Sequence, residues 1–435
     1  MSIPDSVSLG VEVEFLSAQQ RDSKSQIVNV DYQWICGPPS EDPYAGKSPE
    51  GPYYWAEMAS VLNSCKVLES EGLPTGCPFP TEPDLKNPIT KDAPADSILE
   101  LPDASRIRVW NRDAVMYSTG SISSTRANYW FMVRERHISV DVRNLPGKSP
   151  SDEYNWHGTE LNSPVLTRPN EFKNKLPSLK RSLNAIQNNM KVALNASCGL
   201  HLHVNDSGKL HLDTAKRVAC LVLLLEDPLL YKLSHPSRSK SPYSVRISTD
   251  SKAVLGDESV PCLVGDGLIQ TRALRDLIEK FKGRKMVSEN TLKAMERIYF
   301  MRDQESLRTI LKKYDEGPVH TTRRCALVVS RNDTIEFRYP ASTFNSEYIA
   351  AWGQLVRHIY ALTMKSPLEF SKILCHVYEV VTRDEAVGWE AVMEAIEFRD
   401  VGPEQWKKWI AEFDGPLKDL DQQGIMPRRP RMTID

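Results

Sequence analysis

Apolar and polar residues alternate near the start of the chain, where Leu9, Val11, Val13 and Phe15 interleave with Gly10, Glu12 and Glu14. That two-residue period predicts a half-buried strand. From about Ile107 the pattern reads as mixed strands, over Tyr129 to Val142 and then Trp156 to Pro164. Helical periodicity follows over about Asn170–Asn195, and again from Asp213, a candidate N-cap, to about Leu233. Between these helices the segment SCGLHLHVND is a short alternating strand. Residues 270–315 are helical in pattern and rich in Lys, Arg and Glu. Cys325–Ser330 and Thr334–Tyr339 read as a strand pair joined by the turn Arg331-Asn332-Asp333. Residues 345–412 read as three or four amphipathic helices, and the PRRPRM tail as frayed. There is no internal repeat and no low-complexity tract.

Strands and helices come in blocks without regular βαβ alternation. This predicts an α+β fold on an antiparallel or mixed sheet, in place of a doubly wound parallel one. Residues 36–105 interrupt the pattern with 12 of the chain's 29 prolines. Proline removes ladder and helix donors, so apart from a candidate helix at Tyr54–Glu69 this stretch reads as irregular, either an inserted flap or a linker between domains. GKS occurs at 46–48 and 147–149, but Glu41 and Val142 stand where a P-loop requires its first glycine. No GxGxxG follows a strand.

Composition narrows the class of partner. The 435 residues carry 55 Lys and Arg against 57 Asp and Glu, so no global basic field favours nucleic acid or an anionic membrane. The longest apolar run, Val218 to Leu225, falls far short of the roughly 20 residues that a membrane span needs. No basic region precedes an apolar block at the N-terminus, which argues against a secretory leader. Eight scattered cysteines without a CxxC pair read as reduced thiols of a cytoplasmic protein.

Three predicted strands each carry a polar pair at i and i+2: Glu12/Glu14 in GVEVEF, His201/His203 in GLHLHV, and Glu336/Arg338 in TIEFRY. Strand geometry points both members of a pair to one face. Acid-x-acid alone is cheap, with six instances here, but only Glu12/Glu14 sits in an apolar β-type run. Glu-x-Arg is commonplace, and taken alone reads as a surface ion pair. Carboxylates two apart on a buried strand repel each other, and burying them unpaired costs several kcal/mol. A divalent cation removes that cost, and oxygen ligands with one imidazole suit magnesium or manganese. An arginine on the same face suits phosphate. Cys198, just before GLH, reads as a buried structural thiol, because no base is placed for it.

The ordered set GVEVEF, TELNSPVL (159–166), CGLHLHV and TIEFR resembles the amidoligase family, within the glutamine-synthetase-like carboxylate–amine ligases. The resemblance spreads over about residues 8–355. It implies a catalytic funnel on the sheet with helices on its outer face, occupying residues 1–365, with a C-terminal helical extension at 366–435. It implies ATP with Mg²⁺ or Mn²⁺ as cofactors, and small-molecule carboxylate and amine substrates. Carried over by position, Glu12 and Glu14 are ligands of two metal ions, and His201 and Glu336 join Glu12 around one of them. Glu160 is a further ligand on the carboxylate-substrate side, His203 touches the phosphates, and Arg338 neutralises the γ-phosphoryl group in flight. The acidic residue expected on the strand before TELNSPVL is either Glu135 or Asp141. Arg238, Lys240 and Arg246 form a basic loop that suits ATP or the substrate carboxylate, or else is simply solvated. The reaction implied is amide formation through an acyl phosphate. Rival readings are a guanidino-kinase-type phosphotransferase, a non-catalytic binding relative and a metal hydrolase. No subunit-contact motif decides whether the chain forms a homo-oligomer.

Overall fold

A computed structural model describes residues 3–20, 35, 109–111, 130–135, 137–138, 153–206, 208–256, 289–314, 324–383, 387–415 and 417–418. The proline-rich stretch at 36–105 with its candidate helix, residues 270–288 and the PRRPRM tail lie outside them. The chain divides into two compact units, and the division falls inside β1, β6 and α9. The N-side unit comprises Gly10–Leu200, Ser342–Ala350 and Asp419–Asp435; the C-side unit comprises Met1–Leu9, His201–Ala341 and Ala351–Lys418. Both combine helices with largely antiparallel strands, so the fold is α+β.

In the N-side unit the strands are β1 (Val7–Gln20), β2 (Val109–Asn111), β3 (Trp130–Arg134), β4 (Tyr154–Asn162) and β5 (Val192–Ala193). Their order is β2-β3-β4-β1, with β5 also pairing β1. All contacts are antiparallel except β2 with β3. The first strand is buried on both faces, where its alternation predicts one. Glu14 is held twice: Gly199 N–H donates to its carboxylate Oε2 at 2.5 Å, and the Ser342 hydroxyl donates to its main-chain carbonyl at 2.5 Å. On the apolar face Phe15 meets Phe344 edge-on at 5.7 Å.

The helix expected over 170–195 is two helices, α1 (Pro169–Lys173) and α2 (Pro177–Asn189), followed by β5. Pro177 forbids the helical conformation to the residue before it. Lys175 and Leu176 turn instead through φ of 57° and 58°.

The C-side unit holds β6 (Leu200–Asp206), β7 (Leu327–Val329) and β8 (Ile335–Phe337), ordered β6-β8-β7 and antiparallel. Val7–Leu9 of β1 run beside β6, where Ser8 Oγ donates to Asn205 O at 3.0 Å. The β7–β8 turn falls at 331–333 as its sequence predicts, with Asp333 at φ 56°. The helices are α3 (Leu212–Leu225), α4 (Tyr231–Leu233), α5 (Ile247–Asp250), α6 (Lys252–Leu255), α7 (Glu289–Phe300) and α8 (Gln304–Ile310). Four more follow, as the amphipathic pattern predicts: α9 (Ser346–Thr363), α10 (Pro367–Val381), α11 (Trp389–Ala395) and α12 (Pro403–Asp414). Trp352 of α9 and Trp406 of α12 are fully buried and meet edge-to-face at 6.0 Å. Burying such side chains contributes about 2–3 kcal/mol each.

The helix expected from Asp213 to Leu233 begins one residue earlier, with His211 as N-cap and Asp213 in the first turn. At Glu226–Leu230 it widens into a π-helical turn, which accommodates Pro228, a residue with no N–H to give an ordinary helical turn. The wide turn carries Glu226 into the interior. Its carboxylate, fully buried, accepts from Ile247 N–H (3.0 Å), Ser248 N–H (2.7 Å) and Tyr339 O–H (2.8 Å). Burial outweighs these hydrogen bonds and raises its pKa from 4.5 to about 7. The folded state therefore holds a proton that the unfolded chain has lost between these two values. Its contribution is complete below the unfolded pKa and fades as pH rises through 7. Thermal or urea unfolding should show a component of stability, at most about 3 kcal/mol, that declines from pH 4.5 to 7 and that Glu226→Gln flattens.

Candidate active site

In the N-side unit the β1–β4 register sets Glu14 directly opposite Glu160, and Glu12 opposite Asn162. Facing residues of an antiparallel pair share a side of the sheet, so these four polar side chains lie on one face. Glu135, just past the end of β3, joins them. One carboxylate oxygen each from Glu14, Glu135 and Glu160 lie within 4.8 Å of one another. Of the two acidic residues left open by the sequence, Glu135 joins the cluster, and Asp141 lies outside the described residues. Asn162 Nδ2 donates to Glu160 Oε1 at 2.6 Å.

Negative charge gathered under burial has an electrostatic consequence. The Glu160 carboxyl is held well above the usual carboxylate range, first by desolvation and then by Glu12, Glu135 and Glu14; the Asn162 hydrogen bond opposes this only in part. A divalent cation is the natural counter-charge. All three grouped donors are hard carboxylate oxygens, with no thiolate, which suits Mg²⁺ or Mn²⁺ better than zinc.

The C-side unit gathers the other predicted residues. His203 faces Glu336 across the β6–β8 pair, and the same register carried one step further sets His201 opposite Arg338. His201, Glu336 and Arg338 are buried, and His203 is half-buried. Glu336 is paired with Arg338 Nη1, and His201 Nδ1 lies 3.8 Å from Glu336 Oε1. His203 Nδ1 meets Thr334 Oγ1 at 2.9 Å. Arg338 Nε donates to Tyr243 O at 3.1 Å, so the guanidinium is held at two points. A fixed guanidinium with two imidazoles on one sheet face is chemistry suited to phosphate oxygens.

The three basic loop residues part company. Arg238 is fully buried, and its Nη2 donates to Arg338 O at 2.8 Å. Lys240 is exposed at the end of a 3₁₀ turn, Pro236–Lys240. Arg246 lies 4.3 Å over the Tyr231 ring and donates to Asp227 at 2.7 Å. Sequence reading did not single out Glu226, Tyr243 or Tyr339, which support this region from behind. Pro228, two residues after Glu226 and inside a helical run, is the one local signal that a distorted turn lies there.

Comparison with known proteins adds one finding. A family model described as "Putative amidoligase enzyme" matches residues 104–259, so this part of the chain is similar to amidoligases and the class it points to is an amide-bond ligase. No curated protein matches the chain, and no solved structure does. The matched stretch contains Glu135, Glu160, His201, His203 and the basic loop. Glu12, Glu14, Glu336 and Arg338 lie outside it. Among the described residues no helix is long and apolar enough to cross a membrane.

Repulsion in the carboxylate cluster can be relieved without metal. Glu160→Gln removes one charge, keeps an oxygen for Asn162 and offers N–H groups to the neighbouring carboxylates. Metal-free protein carrying it should be more stable than wild type at pH 7, measured by urea unfolding in chelator. The same variant should lose most of the stabilisation that Mg²⁺ or Mn²⁺ gives the wild-type protein.

Proposed function

We propose that the chain is an ATP-dependent carboxylate–amine ligase. The observation that carries this reading is the convergence of the buried Glu14 and Glu160 carboxylates with the half-buried Glu135, charges that repel one another unless a cation joins them. The amidoligase match over 104–259 supports the same class. In this reading Glu14 and Glu160 hold metal on the carboxylate-substrate side, and Glu12 is a ligand of a second metal ion. His201 and Glu336 hold metal on the nucleotide side, and His203 and Arg338 bind phosphate oxygens. Divalent ions, when bound, supply charge neutralisation and alignment for phosphoryl transfer.

The chemistry balances in two stages. A substrate carboxylate oxygen attacks the γ-phosphorus of ATP, ADP leaves and an acyl phosphate results. The amine nitrogen then attacks the acyl carbon, phosphate leaves and one proton is lost, giving the amide. Arg338, anchored by Glu336 and by Tyr243 O, offers its fork to the phosphoryl group without reorganising. Arg238 is buried against the Arg338 carbonyl, so a backbone-steadying role suits it better than substrate capture. Lys240 and Arg246 remain the loop cations for ATP or the substrate carboxylate. The chain would act in the cytoplasm on small molecules.

Phosphate release from ATP, with Mg²⁺ or Mn²⁺ and pooled carboxylates and amines, tests the class. An amide product is expected. A phosphorylated amine or guanidine would identify a phosphotransferase instead, and no ATP turnover with any pool would count against catalysis. Arg338→Lys keeps the charge but loses the planar fork, so turnover should fall by roughly a hundredfold, about 2.7 kcal/mol, while metal–ATP affinity changes far less. Glu336→Gln should lower both. Near-normal turnover in Arg338→Lys would remove the phosphoryl role from this strand.

A further inference from the structure

His137 is paired with Glu135, a member of the carboxylate cluster of the N-side unit. Its backbone N–H lies 2.8 Å, and its ring Nδ1 2.6 Å, from the same Glu135 oxygen, Oε1. Two donors on one oxygen fix both the swing and the plane of the carboxylate. The segment that carries the pair is itself pinned. Glu135 N–H donates to Gly158 O at 3.0 Å, and Ile138 is buried. A Cβ at position 158 would lie 2.2 Å from Glu135 O and 2.9 Å from Ile138 Cβ. Only glycine on β4 lets residues 135–138 fold down this closely. Glu135 leaves the end of β3 at this point, where the ladder no longer sets its direction, and the cluster includes it all the same.

We infer that His137 is a positioning residue, which holds the Glu135 carboxylate in place as a ligand for a divalent cation shared with Glu14 and Glu160. This rests on the reading of Glu14, Glu135 and Glu160 as a cation site, and goes beyond it in adding the imidazole that orients Glu135. Oxygen ligands that are not fixed lose affinity through the disorder they must give up on binding, and orienting partners of ligands are typically worth 10–100-fold in metal affinity. An imidazole 38% exposed at its side chain contributes little to the core, so its loss should be felt by the metal and not by the fold.

The test uses the full chain and Mn²⁺ as the probe, with binding followed by electron paramagnetic resonance or calorimetry and no nucleotide present. Wild type should bind Mn²⁺, and Glu14→Gln should abolish or strongly weaken binding. His137→Ala should weaken binding about 10-fold or more, with its metal-free melting temperature unchanged. His137→Asn, whose amide Nδ2 can take the place of Nδ1, should recover most of the loss. Glu135→Gln should weaken binding at least as much as His137→Ala, and adding His137→Ala to it should cost little more. If wild type binds no Mn²⁺, the metal reading of the cluster itself fails, and this inference with it. If wild type binds, Glu14→Gln does not, and His137→Ala binds as wild type does, only the positioning role is overturned. Equal loss in His137→Ala and His137→Asn, or a metal-free melting temperature lowered in step with affinity, also overturns it.

Discussion

The N-side unit is organised around a repulsion. The register of β1 against β4 sets Glu14 opposite Glu160 with Glu12 alongside, and burial denies these charges the water that would screen them. Much of the surrounding structure can be read as the means of tolerating this: the Gly199 amide and Asn162 side chain hydrogen-bond two of the carboxylates, and burial with the neighbouring carboxylates raises the pKa of Glu160. Such an arrangement is poorly explained as packing. Apolar residues of the same volume would serve stability better, so the cluster makes sense as a binding device that waits for positive charge.

The C-side unit answers with the opposite problem. Here the charges are balanced inside the sheet, Glu336 against Arg338, and the difficulty is orientation. Arg338 is fixed by a carboxylate and a carbonyl, its own carbonyl is taken by Arg238, and its neighbour Tyr339 is tied to Glu226. Arg238 and Glu226 are both fully buried, and both are spent on backbone or hydroxyl partners. Rigidity at a phosphate-binding guanidinium is useful because a charge already aimed needs no reorganisation when substrate charge shifts.

Residues on strands were legible in the sequence because a period of two assigns faces directly. The period of two puts the polar residues of GVEVEF and of GLHLHV on one face each, and the register of β1 against β4 and of β6 against β8 has that geometry. The hairpin at 331–333 and the four late helices were legible for the same reason: their local signals agree with the fold. Failures came where one residue overrides a period. Pro177 divides a helix that periodicity runs straight through, and Pro228 converts a helix into a π turn and turns Glu226 inward. Glu135 lies beyond the end of its strand, so no period assigns it a face, and its place depends on a glycine 23 residues away on β4. Arg238 read as a loop cation because burial of a charged residue is decided by partners distant in sequence, here the Arg338 carbonyl 100 residues on.

The pairing of β1 with β4 joins residues about 150 positions apart, Glu12 with Asn162 among them. Closing so long a span is costly once, but the cost rises only with the logarithm of its length, by about 0.6 kcal/mol for each doubling. Insertions or deletions in the connections of that interval, outside β3 and residues Glu135 and His137, therefore change the free energy of assembling the carboxylates very little. A one-residue slip inside either strand, by contrast, would turn that strand's carboxylates to the other face. Variation among natural relatives of this chain should accordingly concentrate between the strands, with the strands themselves kept in strict phase.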